Sequence, residues 1–198
     1  LELREAMVER APASDAVVMA AAVADFRPAR RHESKIKKRD DAPDEPIALL
    51  RNPDILVDLV RQRDSAGTGQ VIVGFAAETG DDGANVLEYG RAKLERKGCD
   101  LLVVNEVGTD LVFGQDDNSV TILAKDGSEP QHVAGSKDEV ADAVVLRLAA
   151  ALDARITSAS GNFTAHRRVA VERNVLRVSL EERDEGHLPS EVGLYEAV

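Results

Sequence analysis

Three short, uninterrupted apolar runs constrain most strongly what this chain can fold into: AVVMAAAV at 16–23, QVIVGF at 70–75 and DLLVVN at 100–105. Each has the length of a strand and is rich in Val. Each also lacks the period-two alternation of a sheet with one wet face, so each reads as a strand covered on both faces. Helical patterns precede or separate them. Leu1, Met7 and Val8 sit among charges in 1–10, the remains of an amphipathic helix. In NPDILVDLVRQRD, Asn52 reads as N-cap, Pro53 as the first helical residue and Asp54 as part of the first turn, with Ile55, Leu56, Leu59 and Val60 on one stripe. Residues 84–97 carry Val86, Leu87 and Leu94 among charges and close on Gly98, a C′ glycine. NSVTILA (118–124) alternates, Asp126-Gly127 supplies a hairpin turn, and PQHVA (130–134) returns. Ser136-x-x-Glu139 is a capping box that opens a helix through about Ala151. Buried strands alternating with helices specify an α/β fold, a parallel sheet with right-handed crossovers and an antiparallel hairpin at its edge.

Composition narrows the chemistry. With aromatics at 3%, the core must be Val, Leu, Ile and Ala, and 198 residues allow one domain plus an extension. The expected division is a ligand-handling domain over 1–153 and a tail or small extension over 154–198. In the latter, the alternations Val169/Val171 and Leu176/Val178/Leu180 leave a β-hairpin as the other reading. A net charge of −11 argues against a nucleic-acid or anionic-membrane surface. The single cysteine, Cys99, forms no internal disulfide and reads as a small buried thiol. His32, His132, His166 and His187 have no ligand spacing. No apolar run reaches the roughly 20 residues of a membrane span, and no signal-peptide pattern opens the chain, so a cytoplasmic location is expected. The G-x-G-x-x-G, Walker A and G-x-S-x-G motifs are all absent. The chain opens on Leu1 within a helix-like pattern and is expected to be a fragment.

Ligands of open α/β sheets lie at the carboxyl ends of the strands, so the residues after each apolar run come first. After the first run, seven cations (Arg27, Arg30, Arg31, Lys35, Lys37, Lys38, Arg39) stand against one carboxylate, Glu33, within thirteen residues. Such a reversal in an acidic chain fits a phosphate-bearing ligand or, equally, a solvated loop. Lys93 and Lys97 share one helix face near a C-terminus, where cations also suit the helix dipole and solubility. Phe75 ends its run ahead of the small residues of AAET, as a core aromatic or as a ring face for a base.

In order, AAAVADFRPA (20–29), KIKK (35–38), RNPDIL (51–56), VGFAAET (73–79), RAKLERKGCDLLVVNEV (91–107) and FGQDDNSVTIL (113–123) resemble the C-terminal half of bacterial phosphopantothenoylcysteine synthetase, also called phosphopantothenate–cysteine ligase. The resemblance covers about residues 1–152. It implies a three-layer, Rossmann-like, mostly parallel sheet with an antiparallel hairpin and with the N-terminal part of the domain missing. That missing part holds the family's Gly-rich entrance and the asparagine that holds the acyl-cytidylate. Glu106, in NEV, stands where the family usually reads NDV or NDI.

The resemblance also implies an activity: a coenzyme A biosynthetic ligase that uses CTP and Mg2+ to activate the carboxylate of 4′-phosphopantothenate as an acyl-cytidylate. The amine of cysteine then displaces CMP. It assigns CTP contacts to Asp25, Lys35, Asn52, Pro53, Asp54, Ile55, Phe75, Lys93 and Lys97, with Lys35 catalytic; by its own chemistry Asp25 suits a metal or a hydroxyl better than proton transfer. It further implies a homodimer, to which the 121–133 hairpin contributes, and an upstream flavin-dependent decarboxylase domain; FMN is not expected on this chain. Two rival readings remain at this point. One is a truncated, catalytically silent nucleotide- or phosphate-binding module; the other is a structural α/β domain with a solvated basic loop.

Overall fold

A computed structural model of the chain describes residues 1–30, 46–78, 86–106, 117–160, 166–172 and 175–181. The elements in order are α1 (Glu2–Arg10), a 3-10 turn (Ala11–Ala13), β1 (Ala16–Met19), β2 (Phe26–Pro28), β3 (Leu49–Arg51), α2 (Ile55–Ala66), β4 (Val71–Glu78), α3 (Val86–Lys97), β5 (Leu101–Glu106), β6 (Asp117–Ala124), β7 (Gln131–Ser136), α4 (Lys137–Ser160), β8 (His166–Glu172) and β9 (Val175–Glu181).

The main sheet has the order β1-β4-β5-β6-β7. β1, β4 and β5 are parallel, β6 is reversed, and β7 returns to the first direction, so four of the five strands point one way. Alternation along the strands builds two cores. Ile72, Leu102, Val104 and Leu123 face α2 and α3, where Ile55, Leu56, Leu59, Val60 and Leu94 fill the layer. Val71, Val73, Leu101, Val103, Val120 and Ile122 face Val140, Val144, Leu148 and Leu152 of α4. This is the three-layer, mostly parallel α/β arrangement expected. Each buried aliphatic side chain on the α2 stripe contributes roughly 1.5–3 kcal/mol of transfer free energy. Gly74 sets the spacing: a Cβ built there would lie 2.6 Å from Leu56 Cδ2 and 3.3 Å from Leu102 Cδ1.

Several expectations are sharpened or corrected. β1 ends at Met19, well short of Val23, and Val18 is 43% exposed. The stretch from Asp25 to Pro46, read as a polar connection, begins with β2, which pairs with β3 as a short antiparallel ribbon (Phe26↔Arg51 to Pro28↔Leu49). α2 begins at Ile55 with Asp54 as N-cap, its carboxylate accepting from Val57 N at 3.2 Å; Asn52 is not the cap and Pro53 lies outside the helix. Proline disfavours helical geometry in the residue before it, and Asn52 lies outside the helix with its amide bonded elsewhere. β4 runs on to Glu78, three residues past Phe75, because β5 continues to pair with it. The Gly98 stop (φ 75°) and the Ser136–Glu139 capping box both form: Ser136 N donates to Glu139 Oε2 at 2.8 Å and Glu139 N donates to Ser136 Oγ at 3.3 Å.

α4 continues nine residues past Ala151. Leu152 is buried in the core and Arg155 reaches the Asp100 carboxylate, so its last turns have tertiary partners. In the segment first read as a tail, β8 and β9 pair antiparallel, with Val169↔Val178 and Val171↔Leu176 in register. The hairpin reading holds there. At the amino end of β5, Asp100 Oδ2 accepts from Arg63 Nη1 (2.6 Å) and from Ile72 N (2.7 Å), and Arg63 Nη2 donates to the Gly98 carbonyl (3.2 Å).

Candidate functional site

β1 leaves the sheet before β4 does. The last registered pair is Met19↔Gly74, and Phe75–Glu78 continue beside β5 alone. A notch therefore opens past the carboxyl end of β1, the position at which open α/β sheets receive ligands. The chain leaving β1 and the chain entering α2 are tied together beside it. Asn52 N donates to the Asp25 carbonyl (2.7 Å), Asn52 Nδ2 to the Ala24 carbonyl (2.7 Å), and Arg27 Nη1 to Asn52 Oδ1 (2.8 Å).

α2 points its N-terminus toward this end. Its first N–H groups have no partner within the helix and carry the positive end of its dipole. Ile55 is 6% exposed and its side chain belongs to the core, which leaves its main-chain N–H as the group it can offer. Pro53 has no N–H and offers ring and carbonyl only. Asp25 is exposed. α3 contributes the cations: Lys93 and Lys97, four residues apart, share a face and are both largely covered, with 26% and 20% of their side chains exposed. Lys97 forms an ion pair with Asp54, the cap of α2, and Lys93 with Glu78, the last residue of β4. They are held ammonium groups rather than freely solvated ones. Glu78 was not singled out from the sequence. The only signal was its place at the carboxyl end of an apolar run.

Asp54, Ile55, Lys93 and Lys97 are thus brought to the α2/α3 face, with Asp25, Asn52 and Pro53 at the mouth of α2. Phe75 is not core, being 39% exposed. By alternation along β4 it shares the face of Val71 and Val73, opposite α3, at the first position where β1 no longer flanks the strand. Lys35, with the rest of the basic run after Arg30, lies outside the described residues, as does the side chain of Glu106. Cys99 is fully buried, and burial, with the Asp100 charge adding to it, pushes its thiol up to about 11. It is an inert core thiol. Among the described residues no three His, Cys, Asp or Glu side chains gather into a metal site, and no described helix is long and apolar enough to cross a membrane.

Comparison with known proteins bears on the family and the fold. The coenzyme A biosynthesis bifunctional protein CoaBC of Mycobacterium tuberculosis is 50% identical over 157 residues, which cover 75% of this chain and 37% of that protein. The Bacillus subtilis protein of the same name is 39% identical over 150 residues, 75% of this chain and 34% of its own length. The chain therefore spans little more than a third of these relatives. Among solved structures, the DNA/pantothenate metabolism flavoprotein of Streptococcus pneumoniae superposes with a TM-score of 0.58 at 18% identity, covering 75% of this chain and 68% of that one. A Cab2 mutant complexed with phosphopantothenate-cysteine superposes with a TM-score of 0.51 at 22% identity, covering 71% and 44%. Both show the same fold. Residues 1–152 match the family described as the DNA/pantothenate metabolism flavoprotein C-terminal domain, and the chain belongs to that family.

Proposed function

We propose that this chain is the nucleotide-holding part of a coenzyme A biosynthetic ligase that joins 4′-phosphopantothenate to cysteine using CTP. The observation that carries this reading is the gathering of Lys93 and Lys97 from α3 at the carboxyl end of β4 and the mouth of α2. It is supported by the name of the CoaBC relatives and by the phosphopantothenate-cysteine held by the Cab2 neighbour.

A carboxylate oxygen of phosphopantothenate attacks the α-phosphorus of CTP, and the bond to pyrophosphate breaks. The amine of cysteine then attacks the acyl carbon, CMP departs, and a proton is lost from nitrogen. Negative charge grows on the α-phosphate and on the departing pyrophosphate, so fixed ammonium groups there stabilise the transition state more than the ground state. Lys93 and Lys97 serve the phosphates and the α2 N–H groups and Asn52 the ribose or base, while Phe75, on the other face of β4, meets the base across the notch past the end of β1. Lys35 acts at the reacting phosphate. The exposed Asp25 carboxylate would hold Mg2+ together with the substrate phosphates, and the ion would supply charge neutralisation there. The working protein is a cytoplasmic homodimer fused behind a flavin-dependent decarboxylase.

Coupled pyrophosphate and CMP assays on the intact protein, with phosphopantothenate and cysteine, test the reaction. Lys35→Gln is expected to abolish pyrophosphate release, and normal release would refute its role. The second reading, a silent nucleotide-binding module, draws on the carboxylate already paired with each lysine. It predicts thermal stabilisation by CTP with no pyrophosphate formed.

A further inference from the structure

Arg27 belongs to no role assigned above, yet it holds the two halves of the mouth together. Its Nη1 donates to Asn52 Oδ1 at 2.8 Å and to the Arg51 carbonyl at 3.2 Å. Among the described residues, the acceptors that it reaches are a carbonyl and a carboxamide oxygen. Asn52 passes the connection on, donating from Nδ2 to the Ala24 carbonyl at 2.7 Å. The result is a side-chain chain from Arg27 through Asn52 to the backbone just before Asp25. It runs alongside the main-chain bond from Asn52 to Asp25 and the β2–β3 ladder. Arg51 lies over the Phe26 ring at 5.9 Å and braces the same ribbon.

Resting on the ligase reading, we propose that Arg27 is a positioning residue of the nucleotide site. By fixing the Asn52 carboxamide at its acceptor end, it makes the segment carrying Asp25 and the segment carrying Asp54 one rigid unit. Those two carboxylates lie on opposite sides of the basic run in sequence, and among the described residues this clamp links their segments through side chains. A guanidinium suits the task because two N–H groups of one nitrogen reach two acceptors in a fixed plane, which an ammonium does not reproduce. Both residues are half-buried at the surface, so loss of the clamp loosens the mouth without opening the core.

The test uses the intact protein with Arg27→Gln, Arg27→Lys, Asn52→Ala and the Arg27→Gln/Asn52→Ala double variant. Arg27→Gln is expected to weaken CTP binding and raise its KM about tenfold, with kcat changed less than about threefold and the thermal midpoint nearly unmoved. Arg27→Lys recovers part of the loss. Because Arg27 acts through Asn52, the double variant binds CTP no more weakly than Asn52→Ala alone. Wild-type affinity in Arg27→Gln, or full additivity in the double variant, overturns the proposal. Hydrogen exchange at the Asn52 amide separates this idea from the ligase reading. Exchange accelerates in Arg27→Gln if the clamp is real, whether or not the protein binds CTP, and unchanged exchange overturns it. Failure of the wild type to bind CTP refutes the ligase reading instead.

Discussion

Replacing Asp100 with alanine is expected to remove about 4 kcal/mol of stability, a large share of the 5–15 kcal/mol typical of a folded domain. The estimate follows from what the carboxylate touches. Asp100 is 9% exposed, and its Oδ2 accepts from Arg63 Nη1 at 2.6 Å and from Ile72 N at 2.7 Å, while Oδ1 accepts from Arg155. Removing one partner of a buried ion pair costs about 3–5 kcal/mol. The Ile72 N–H, in a fully buried residue, loses its side-chain acceptor, and an unpaired buried donor costs about 1–3 kcal/mol. Arg63 keeps Asp64 and the Gly98 carbonyl, which trims the sum. Asp100→Asn retains a neutral acceptor for Ile72 or Arg63 and is expected to cost about half as much. Urea unfolding with an unchanged m-value measures both variants. Arg4→Ala is the control: its pair with Asp58 is 39% and 22% exposed, and it should cost less than about 1 kcal/mol. If Asp100→Ala proves no more damaging than Arg4→Ala, burial does not govern these pairs and the reasoning fails.

Cys99 gives a pH signature. Its folded thiol titrates at about 11 against 9.0 for the ordinary group, so the folded state holds the proton longer than the unfolded state. Its contribution is complete below about pH 9 and is lost as pH rises from about 9 to about 11, a slope that Cys99→Ala should flatten in pH-dependent unfolding. Ser136→Ala removes an N-cap and is expected to lower stability by about 1 kcal/mol, read from the denaturation midpoint. Glu78→Gln releases Lys93 from its counter-ion and is expected to tighten CTP binding about fivefold by calorimetry, with the gain shrinking at high salt. Weaker binding would show that losing the preset position of Lys93 outweighs relief from the competing carboxylate.

Much of the fold was legible because local chemistry and tertiary burial agree. QVIVGF and DLLVVN lack polar alternation because both of their faces are covered, and Gly98 and Ser136-x-x-Glu139 stop and start helices by hydrogen bonds made within a few residues. The misreadings arose where a partner distant in sequence decides. β1 ends at Met19 although the apolar run continues to Val23, because its parallel partner register stops there. Asn52 lost the capping position to Asp54 because its amide is claimed by Ala24 and Arg27, some 25 residues earlier in the chain. β2 and β3 are three residues each, too short for a periodic signal, and exist only through each other.

The same distinction governs the site. Residue type and helical spacing place Lys93 and Lys97 on one face, but spacing says nothing about what faces them. The structure supplies Glu78 and Asp54, one from a strand end and one from a helix cap. Two cations paired with two carboxylates are close to neutral as a group, so α3 alone does not make a strongly positive surface. A polyanion must then either displace the carboxylates or arrive with enough added positive charge to compensate for them. The proposed divalent cation and the basic run after β2 would provide such charge. On this reasoning the lysines act as local donors whose positions are already fixed by Glu78 and Asp54. Less side-chain entropy is then lost when phosphate replaces carboxylate than if long, free side chains had to be ordered on binding.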